Sequence, residues 1–307
     1  MTTAFVFPGQ GSQSVGMLAS FADESVVKET FAEARDALGY DLWTLCQNGP
    51  EADLNVTWRT QPALLAASVA LYRLWLSRDG AVPAFMAGHS LGEYSALVCS
   101  GALAFADGIK LVEARGKFMQ EAVPEGQGKM AAILGLDDAD IQAACAESAQ
   151  GEVVAPVNFN SPGQVVIAGN AAAVERAMEA CKAKGAKRAL PLNVSAPSHC
   201  ALMKPAAERL AMLLQQITFN VPAVPVVNNV DVAIETDPAR IREALVRQLY
   251  CPVRWTESVQ ALAGKGVTRL IECGSGAVLA GLAKRINKEL TAVSVQDKPA
   301  FDAALAG

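Results

Sequence analysis

Short apolar runs and longer amphipathic segments alternate along most of this sequence. The apolar runs at residues 4–7, 84–87, 224–227 and 269–272 have the length of buried strands. Apolar residues recur at helical spacing in the segments 26–38, 62–77, 105–122, 238–249 and 277–289. Strands that alternate with helices are typical of a parallel sheet covered on both faces. The pattern therefore predicts a protein of the α/β class.

Residues 129–194 carry a different pattern, in which two helices are set among four strands. It predicts strand 130–136, helix 137–149, strand 153–158, a turn at 160–163, strand 164–168, helix 170–184 and strand 188–194. The order βαββαβ is the ferredoxin-like signature. We therefore expect a small ferredoxin-like domain over 126–196, inserted into a larger α/β domain formed by 1–125 and 197–307.

The composition excludes several classes of protein. The 307 residues are 51% hydrophobic and 19% charged, which is typical of a folded chain with a large core and excludes disorder. The net charge of −5 gives no overall basic field, so we expect neither nucleic acid nor an anionic membrane surface as a partner. The uncharged runs 153–174 and 210–230 are not membrane spans, because both contain Asn, Gln and Pro.

The cysteines and the N-terminus indicate a reducing compartment. Seven cysteines, an odd number without a CxxC pair, predict reduced and mostly buried thiols, and the spacing expected of metal ligands is absent. Met1 leads directly into the strand-like run at 4–7, without the basic and apolar regions of a signal peptide. We therefore expect a cytoplasmic protein without a metal site.

A G-x-S-x-G motif at residues 88–92 is the strongest candidate for chemistry. It follows an apolar strand and precedes a helix that runs to about Ser100, which is the context of a nucleophile elbow. Glycines permit the sharp turn, and the hydroxyl of Ser90 is then presented at the start of the helix. The N–H of Leu91 would help to stabilise an oxyanion there. The alternative is a serine that caps an ordinary helix.

A serine nucleophile needs a base, and the sequence contains only two histidines. His89 adjoins Ser90, and neighbouring side chains on a turn diverge. His199, in the segment that rejoins the predicted large domain, is therefore the predicted base. The alternative is a hydrogen-bonded structural histidine. No Asp or Glu is marked by its sequence context as a third member of a triad, and Asp231 lies on the wrong side of the histidine for α/β-hydrolase order.

Arg115 lies among apolar residues of the predicted helix 105–122. From there it could project into a cleft and bind a carboxylate through two parallel hydrogen bonds. The alternative is an arginine that faces solvent, as most helix arginines do.

Two glycine-rich loops lack the third glycine of the dinucleotide fingerprint. The loop that begins at Gly9 has Ser14 at that position, and the loop that begins at Gly274 has Leu279. We expect both to be loops of close approach at the carboxyl ends of strands, where α/β sheets place their sites.

Two groups of basic residues could receive an acidic partner. They are Lys182, Lys184, Lys187 and Arg188, and the pair Lys284 and Arg285. Such runs are otherwise ordinary solvated faces. In an acidic protein they are candidates for a local docking patch.

Six short motifs together resemble the malonyl-CoA:acyl carrier protein transacylases of bacterial type II fatty-acid synthesis. They lie at residues 7–13, 88–93, 115–116, 160–164, 197–199 and 225–229. The resemblance implies an α/β-hydrolase-like core with a ferredoxin-like subdomain and an active site between them. It implies that Ser90 takes the malonyl group from coenzyme A and that His199 is general base and acid. Gln248 would orient the histidine through its backbone carbonyl, which would explain the missing third acid.

The resemblance also implies how substrates are held. The N–H groups of Gln10 and Leu91 would form the oxyanion hole, and Arg115 would pair with the malonyl carboxylate. The acceptor would be the phosphopantetheine thiol of an acidic acyl carrier protein that binds transiently. Malonyl-CoA and phosphopantetheine enter as substrates, so we expect no bound cofactor, and we expect a monomer.

One loop departs from the family pattern. Gly274-Ser275-Gly276-Ala277 stands where the family commonly has Gly-Pro-Gly-Lys, which removes a proline and a cation. We expect this change to affect carrier binding and not the chemistry. Three alternatives stay open: a serine esterase or thioesterase with the same elbow, an acyltransferase of a polyketide pathway with another extender unit, and a carrier-binding scaffold without catalysis.

Overall fold

A computed structural model describes residues 1–194 and 196–307. Ser195, within the predicted small domain, lies outside the described residues. The strands are β1 (Thr3–Phe7), β2 (Phe85–Gly88), β3 (Gly128–Leu134), β4 (Val154–Ser161), β5 (Gln164–Asn170), β6 (Arg188–Pro191), β7 (Val226–Val227), β8 (Arg269–Glu272) and β9 (Thr291–Ser294). The helices are α1 (Ser25–Leu38), α2 (Leu42–Asn48), α3 (Glu51–Leu54), α4 (Thr57–Ser77), α5 (Gly92–Cys99), α6 (Phe105–Ala122), α7 (Asp138–Ala149), α8 (Ala171–Ala183), α9 (Lys204–Leu214), α10 (Pro238–Gln248), α11 (Trp255–Gly264), α12 (Val278–Ile286) and α13 (Lys298–Ala306).

The larger sheet is parallel and confirms the α/β prediction. Its strand order is β7-β2-β1-β8-β9, with β1 at the centre. Side chains alternate along β1, so that Phe5 and Phe7 join the core formed with α4 and α6, whereas Ala4 and Val6 pack against α11 and α12. Both faces are therefore covered by helices, and the carboxyl ends of the strands meet at one edge.

The second sheet is antiparallel, with the order β4-β5-β3-β6. Helices α7 and α8 pack on one of its faces, where Ile133 and Ile167 are buried. Met130, Ala132 and Val166 are on the opposite face and line a cavity. Backbone hydrogen bonds between Val253 and β4 join this sheet to the segment before α11. The predicted sequence of elements βαββαβ is confirmed over this segment.

Prolines account for two differences from the predicted strands. The strand predicted at 188–194 ends at Pro191, and the strand predicted at 224–227 pairs only from Val226, after Pro225. A proline has no N–H to donate to a ladder, so both strands are shorter than their apolar runs. The helix predicted at 62–77 begins earlier, at Thr57, so Pro62 lies inside α4. The predicted helix 277–289 ends at Ile286.

Within residues 1–194 and 196–307, no helix combines the length and hydropathy needed to cross a bilayer. The sequence pattern did not predict six of these elements, namely α2, α3, α9, α11, α13 and β9.

Candidate active site

The G-x-S-x-G motif forms a sharp turn between β2 and α5. Ser90 has a φ of +52°, a left-handed conformation that costs free energy in a residue other than glycine. A Cβ atom at Gly88 would lie 1.9 Å from the backbone of Gly92, and one at Gly92 would lie 2.0 Å from the carbonyl oxygen of Phe7. Both positions therefore require glycine, and the turn packs tightly against the end of β1.

His199 accepts the hydrogen bond of the Ser90 hydroxyl. The distance from Ser90 Oγ to His199 Nε2 is 2.7 Å, and the distance from His199 Nδ1 to the backbone oxygen of Gln248 is 2.6 Å. Because a carbonyl oxygen only accepts, the proton of the neutral imidazole is on Nδ1, and Nε2 is free to accept from the serine. The sequence places these two residues 109 positions apart, and the fold brings them into contact.

Burial keeps this histidine neutral. His199 is 3% exposed. Desolvation, together with the charge of Arg115, lowers its pKa to about 3. At neutral pH the imidazole therefore carries a lone pair on Nε2, as a general base requires.

Arg115 projects from α6 into the same region. It is 1% exposed, and its guanidinium donates to Gln61 Oε1 at 2.8 Å and to Gln248 Oε1 at 3.0 Å. It lies over the ring of Tyr94, and its Nε has no hydrogen-bond partner among the described residues. Burial lowers the pKa of Arg115, yet a guanidinium remains a cation at neutral pH. A buried cation with an unused donor is suited to binding an anionic group.

A cavity of about 300 Å³ brings these side chains together. It lies between the two sheets, at the carboxyl end of the parallel one. Its lining includes Ser90, His199 and Arg115, with Gln10 and Leu91 on the larger-sheet side. The antiparallel sheet contributes Met130, Ala132, Asn158, Asn160 and Val166. Such a cleft at the ends of parallel strands is the usual location of a ligand in α/β folds.

The N–H groups of Gln10 and Leu91 donate to no other group of the described residues. The loop that carries Gln10 is held against the elbow, since a Cβ atom at Gly9 would lie 2.5 Å from the carbonyl oxygen of His89. Gln10 Nε2 also donates to Thr57 Oγ1 at 3.2 Å. Two such N–H groups at the lining of one cavity are suited to stabilising an oxyanion.

The two glycine-rich loops pack closely against each other. A Cβ atom at Gly274 would lie 2.6 Å from Pro8. Ser275 Oγ donates to the backbone oxygen of Ser12 at 2.7 Å, so the serine that departs from the family pattern links the two loops.

His89 points away from Ser90. Its Nε2 lies 2.7 Å from Asn160 Oδ1, and its ring packs against that of Trp255. Burial lowers the pKa of His89, so its ring is neutral and its Nε2 proton is donated to the asparagine oxygen. His89 thus joins the elbow to the antiparallel sheet.

Sequence reasoning missed a buried polar network behind the elbow. Glu93, in the first turn of α5, accepts hydrogen bonds from the backbone of Asn229 and the side chain of Gln248. Asn229 in turn accepts from the N–H of Ser90. The available signals were a carboxylate in an otherwise apolar helix and an Asn-Asn pair at the end of an apolar run.

The basic residues singled out from the sequence lie at three places on the surface. Lys182 and Lys184 are on the side of the antiparallel sheet covered by α7 and α8, where they pair with Glu179 and Glu147. Arg285 donates to Gln164, which lines the cavity, and Lys284 is exposed beside it. Lys187 and Arg188 are exposed at the start of β6, the strand that leads towards Leu192 of the cavity lining.

Within the described residues, no cluster of His, Cys, Asp and Glu could hold a metal ion.

A family model and the curated relatives of this chain both point to acyl transferases. The model of the acyl transferase domain family matches residues 4–302. The chain is 68% identical over 303 residues to a malonyl CoA-acyl carrier protein transacylase of Salmonella typhimurium, with 98% of each chain covered.

Two solved structures superimpose on almost the whole chain. One is a malonyl-transacylase in complex with its type II PKS acyl-carrier protein, at 62% identity and a TM-score of 0.99, covering 100% of this chain and 99% of that one. The other is an acyl carrier protein S-malonyltransferase from Vibrio cholerae, at 63% identity and a TM-score of 0.97, covering 99% and 100%. This chain therefore belongs to the acyl transferase domain family, within its group of malonyl CoA-acyl carrier protein transacylases.

Proposed function

We propose that this protein transfers the malonyl group of malonyl-CoA to the phosphopantetheine thiol of an acyl carrier protein in fatty-acid synthesis, through a malonyl ester of Ser90. One observation carries the proposal: the hydrogen-bonded pair of Ser90 and His199 shares a cavity with the buried cation of Arg115. The pair supplies acyl transfer, and the cation supplies selectivity for an acyl group that ends in a carboxylate. The names of the relatives agree with this assignment.

In the first half-reaction Ser90 becomes acylated. His199 Nε2 takes the hydroxyl proton as Ser90 Oγ forms a bond to the thioester carbon of malonyl-CoA. The resulting oxyanion is stabilised by the N–H groups of Gln10 and Leu91, each of which contributes about 3 kcal/mol. The C–S bond then breaks, and the coenzyme A sulfur leaves with the proton from His199.

In the second half-reaction the carrier accepts the malonyl group. Its phosphopantetheine thiol gives a proton to His199 Nε2 and attacks the ester carbon. The same two N–H groups stabilise the second oxyanion. The bond to Ser90 Oγ breaks, and the serine recovers its proton from His199. The protein returns to its starting state without any resident cofactor, because both thiols arrive with the substrates.

Arg115 explains selectivity in this mechanism. An acetyl group has no carboxylate, so with acetyl-CoA the buried guanidinium would be left without an anion. A site that is built around a polar partner rejects a ligand that lacks it.

We further propose the finer architecture that the topology supports. The parallel sheet and its helices, residues 1–125 and 197–307, form an α/β-hydrolase-like catalytic domain. Residues 126–196 form an inserted ferredoxin-like subdomain. The strand order β4-β5-β3-β6 and the antiparallel pairing support that interpretation. The protein would act in the cytoplasm as a monomer.

The carrier would dock beside the mouth of the cavity. Lys284, Arg285, Lys187 and Arg188 are exposed on the elements that border it, and an acidic carrier complements them. Lys182 and Lys184, which pair with glutamates on the remote face, would contribute less. A solved relative bound to its acyl-carrier protein supports a carrier as the partner.

One assay separates transfer from its competitors. The protein is incubated with malonyl-CoA and a phosphopantetheinylated acyl carrier protein, and malonyl-carrier and free malonate are both measured. Transfer predicts malonyl-carrier as the main product, whereas a thioesterase would release malonate. Parallel reactions with methylmalonyl-CoA and acetyl-CoA test for another extender unit. A protein that makes no product from any of them would be a scaffold.

A further inference from the structure

A single carboxylate oxygen lies at the centre of the polar network behind the elbow. Glu93 Oε2 accepts the backbone N–H of Asn229 at 3.0 Å and the side-chain Nε2–H of Gln248 at 2.8 Å. Glu93 is 3% exposed and follows Ser90 by three residues, in the first turn of α5. The mechanism above assigns it no role.

The two residues that Glu93 holds also hold the backbone of Ser90. Asn229 Oδ1 accepts the N–H of Ser90 at 2.7 Å, and Gln248 Nε2 donates to the carbonyl oxygen of Ser90 at 3.0 Å. Asn229 Nδ2 donates to the carbonyl oxygen of Gly88 at 2.6 Å. These partners lie more than 130 residues away in sequence. They fix both peptide groups of a residue whose φ is unfavourable.

Glu93 also sets the direction of the Gln248 amide. A carboxylate oxygen accepts and does not donate, so the amide nitrogen of Gln248 must face Glu93 and its oxygen must face away. The oxygen is then the acceptor for the guanidinium of Arg115. With the amide reversed, an N–H group would point at the cation. One acceptor therefore determines the position of Ser90 and the surroundings of Arg115.

We propose that Glu93 is a positioning residue, which through Asn229 and Gln248 holds Ser90 in reach of His199 and presents Arg115 to the acyl carboxylate. Only the effect of Glu93 on acyl-group selectivity, through Arg115, rests on the proposed function. Its effect on Ser90 is independent of the natural substrate.

Two conservative variants separate the position of the acceptor from its charge. In Glu93→Gln the amide oxygen still accepts from Asn229 and Gln248, and the new NH₂ group can face the small cavity that Glu93 lines with Asn228 and Glu235. Glu93→Asp keeps the charge and withdraws the oxygen by one methylene. The first readout is the rate at which a fluorophosphonate labels Ser90, and the second is the ratio of malonyl to acetyl transfer to the carrier.

If Glu93 positions Ser90, the fluorophosphonate should label Ser90 faster in Glu93→Gln than in Glu93→Asp. We expect labelling of Glu93→Gln within about fivefold of the unmodified protein, because a neutral hydrogen bond has about half the strength of a charge-assisted one. We expect labelling of Glu93→Asp to be slower by about 100-fold, since small displacements of reacting groups carry such costs. The malonyl-to-acetyl ratio should fall in Glu93→Asp and not in Glu93→Gln.

Glu272→Asp is the matched control. Glu272 is also buried and accepts the N–H of Ala280, and among the described residues it has no hydrogen bond to Ser90. Thermal melting verifies that each variant is folded, and the control measures what shortening a buried carboxylate costs elsewhere.

The proposal would be overturned if Ser90 of Glu93→Asp were labelled as fast as Ser90 of Glu93→Gln, or faster. If Glu93→Asp does not fold, Glu93→Gln decides alone, and a loss beyond fivefold overturns the role. Failure of the proposed function is recognised separately, because the unmodified protein would then make no malonyl-carrier.

Discussion

The Nδ1–H of His199 donates to the main-chain oxygen of Gln248 at 2.6 Å, so a backbone carbonyl orients this imidazole. A carbonyl fixes the tautomer as a carboxylate would, but it adds no negative charge beside the imidazole. Among the described residues, the charge that acts most on His199 is the cation of Arg115, and it opposes protonation. This relationship determines how the site should respond to mutation and to pH.

Replacement of His199 should nearly abolish acylation of Ser90. In His199→Ala the serine loses its hydrogen-bond acceptor, and we expect labelling of Ser90 by a fluorophosphonate to slow by about 10²–10⁴. His89→Ala is the control, because His89 contacts Asn160 and not the serine hydroxyl. Equal losses in both variants would contradict the assignment of His199 as the base.

The rate of labelling should be insensitive to pH in the mildly acidic range. The active form of the base is neutral, and a pKa of about 3 keeps His199 neutral as the pH falls from 8 to 5. Burial raises the pKa of Glu93 to about 7, but its Oε2 accepts whether or not the other oxygen is protonated. A pH series of labelling rates tests this. A tenfold fall centred on the pKa of about 6.5 of a free histidine would contradict it.

Arg115 should control the choice of acyl group. In Arg115→Ala we expect malonyl transfer to fall by about 100-fold, because a charge-assisted contact to the carboxylate is lost, while acetyl transfer rises relative to it. Arg115→Lys keeps the charge but not the paired N–H groups. Its rate of malonyl transfer should lie between those of the unmodified protein and Arg115→Ala. The measurement is kcat/KM for both coenzyme A thioesters.

An unchanged ratio of malonyl to acetyl transfer in Arg115→Ala would show that selectivity arises elsewhere. Gln61→Ala is a useful companion, since Gln61 Oε1 holds the guanidinium at 2.8 Å. Its effect should be smaller in size and have the same direction.

The docking patch should be visible in the KM for the carrier. Charge reversal of Lys284 and Arg285 together should raise that KM by about tenfold at low salt and by less at high salt, because exposed charges are screened. Reversal of Lys182 and Lys184 is the control, since these lysines are on the remote face and pair with glutamates. Neither pair should change the rate of labelling at Ser90. Equal effects on KM would contradict docking beside Arg285.

Local features of the site could be predicted from sequence. The elbow could, because G-x-S-x-G is contiguous and its glycines are required by contacts within the turn. His199 could be selected because only two histidines exist and the other adjoins the serine. The alternation of apolar residues likewise predicted the order of elements in the antiparallel sheet.

The supporting network could not be predicted in this way. Glu93 acts on Asn229 and Gln248, which lie 136 and 155 residues further along the chain, and no spacing rule relates them. Burial of Arg115 depends on Tyr94 and Gln61 from other helices. The helical pattern around Arg115 is equally compatible with a solvated arginine. Such contacts are set by tertiary packing, which a single sequence does not reveal.

The most direct test of the central claim is the intact-protein mass after brief treatment with malonyl-CoA in the absence of carrier. The account predicts one malonyl adduct, which maps to Ser90, is absent in Ser90→Ala and disappears from the unmodified protein when the thiol-bearing carrier is added. An adduct that persists in Ser90→Ala, or malonyl-carrier formed by that variant at the unmodified rate, would contradict it.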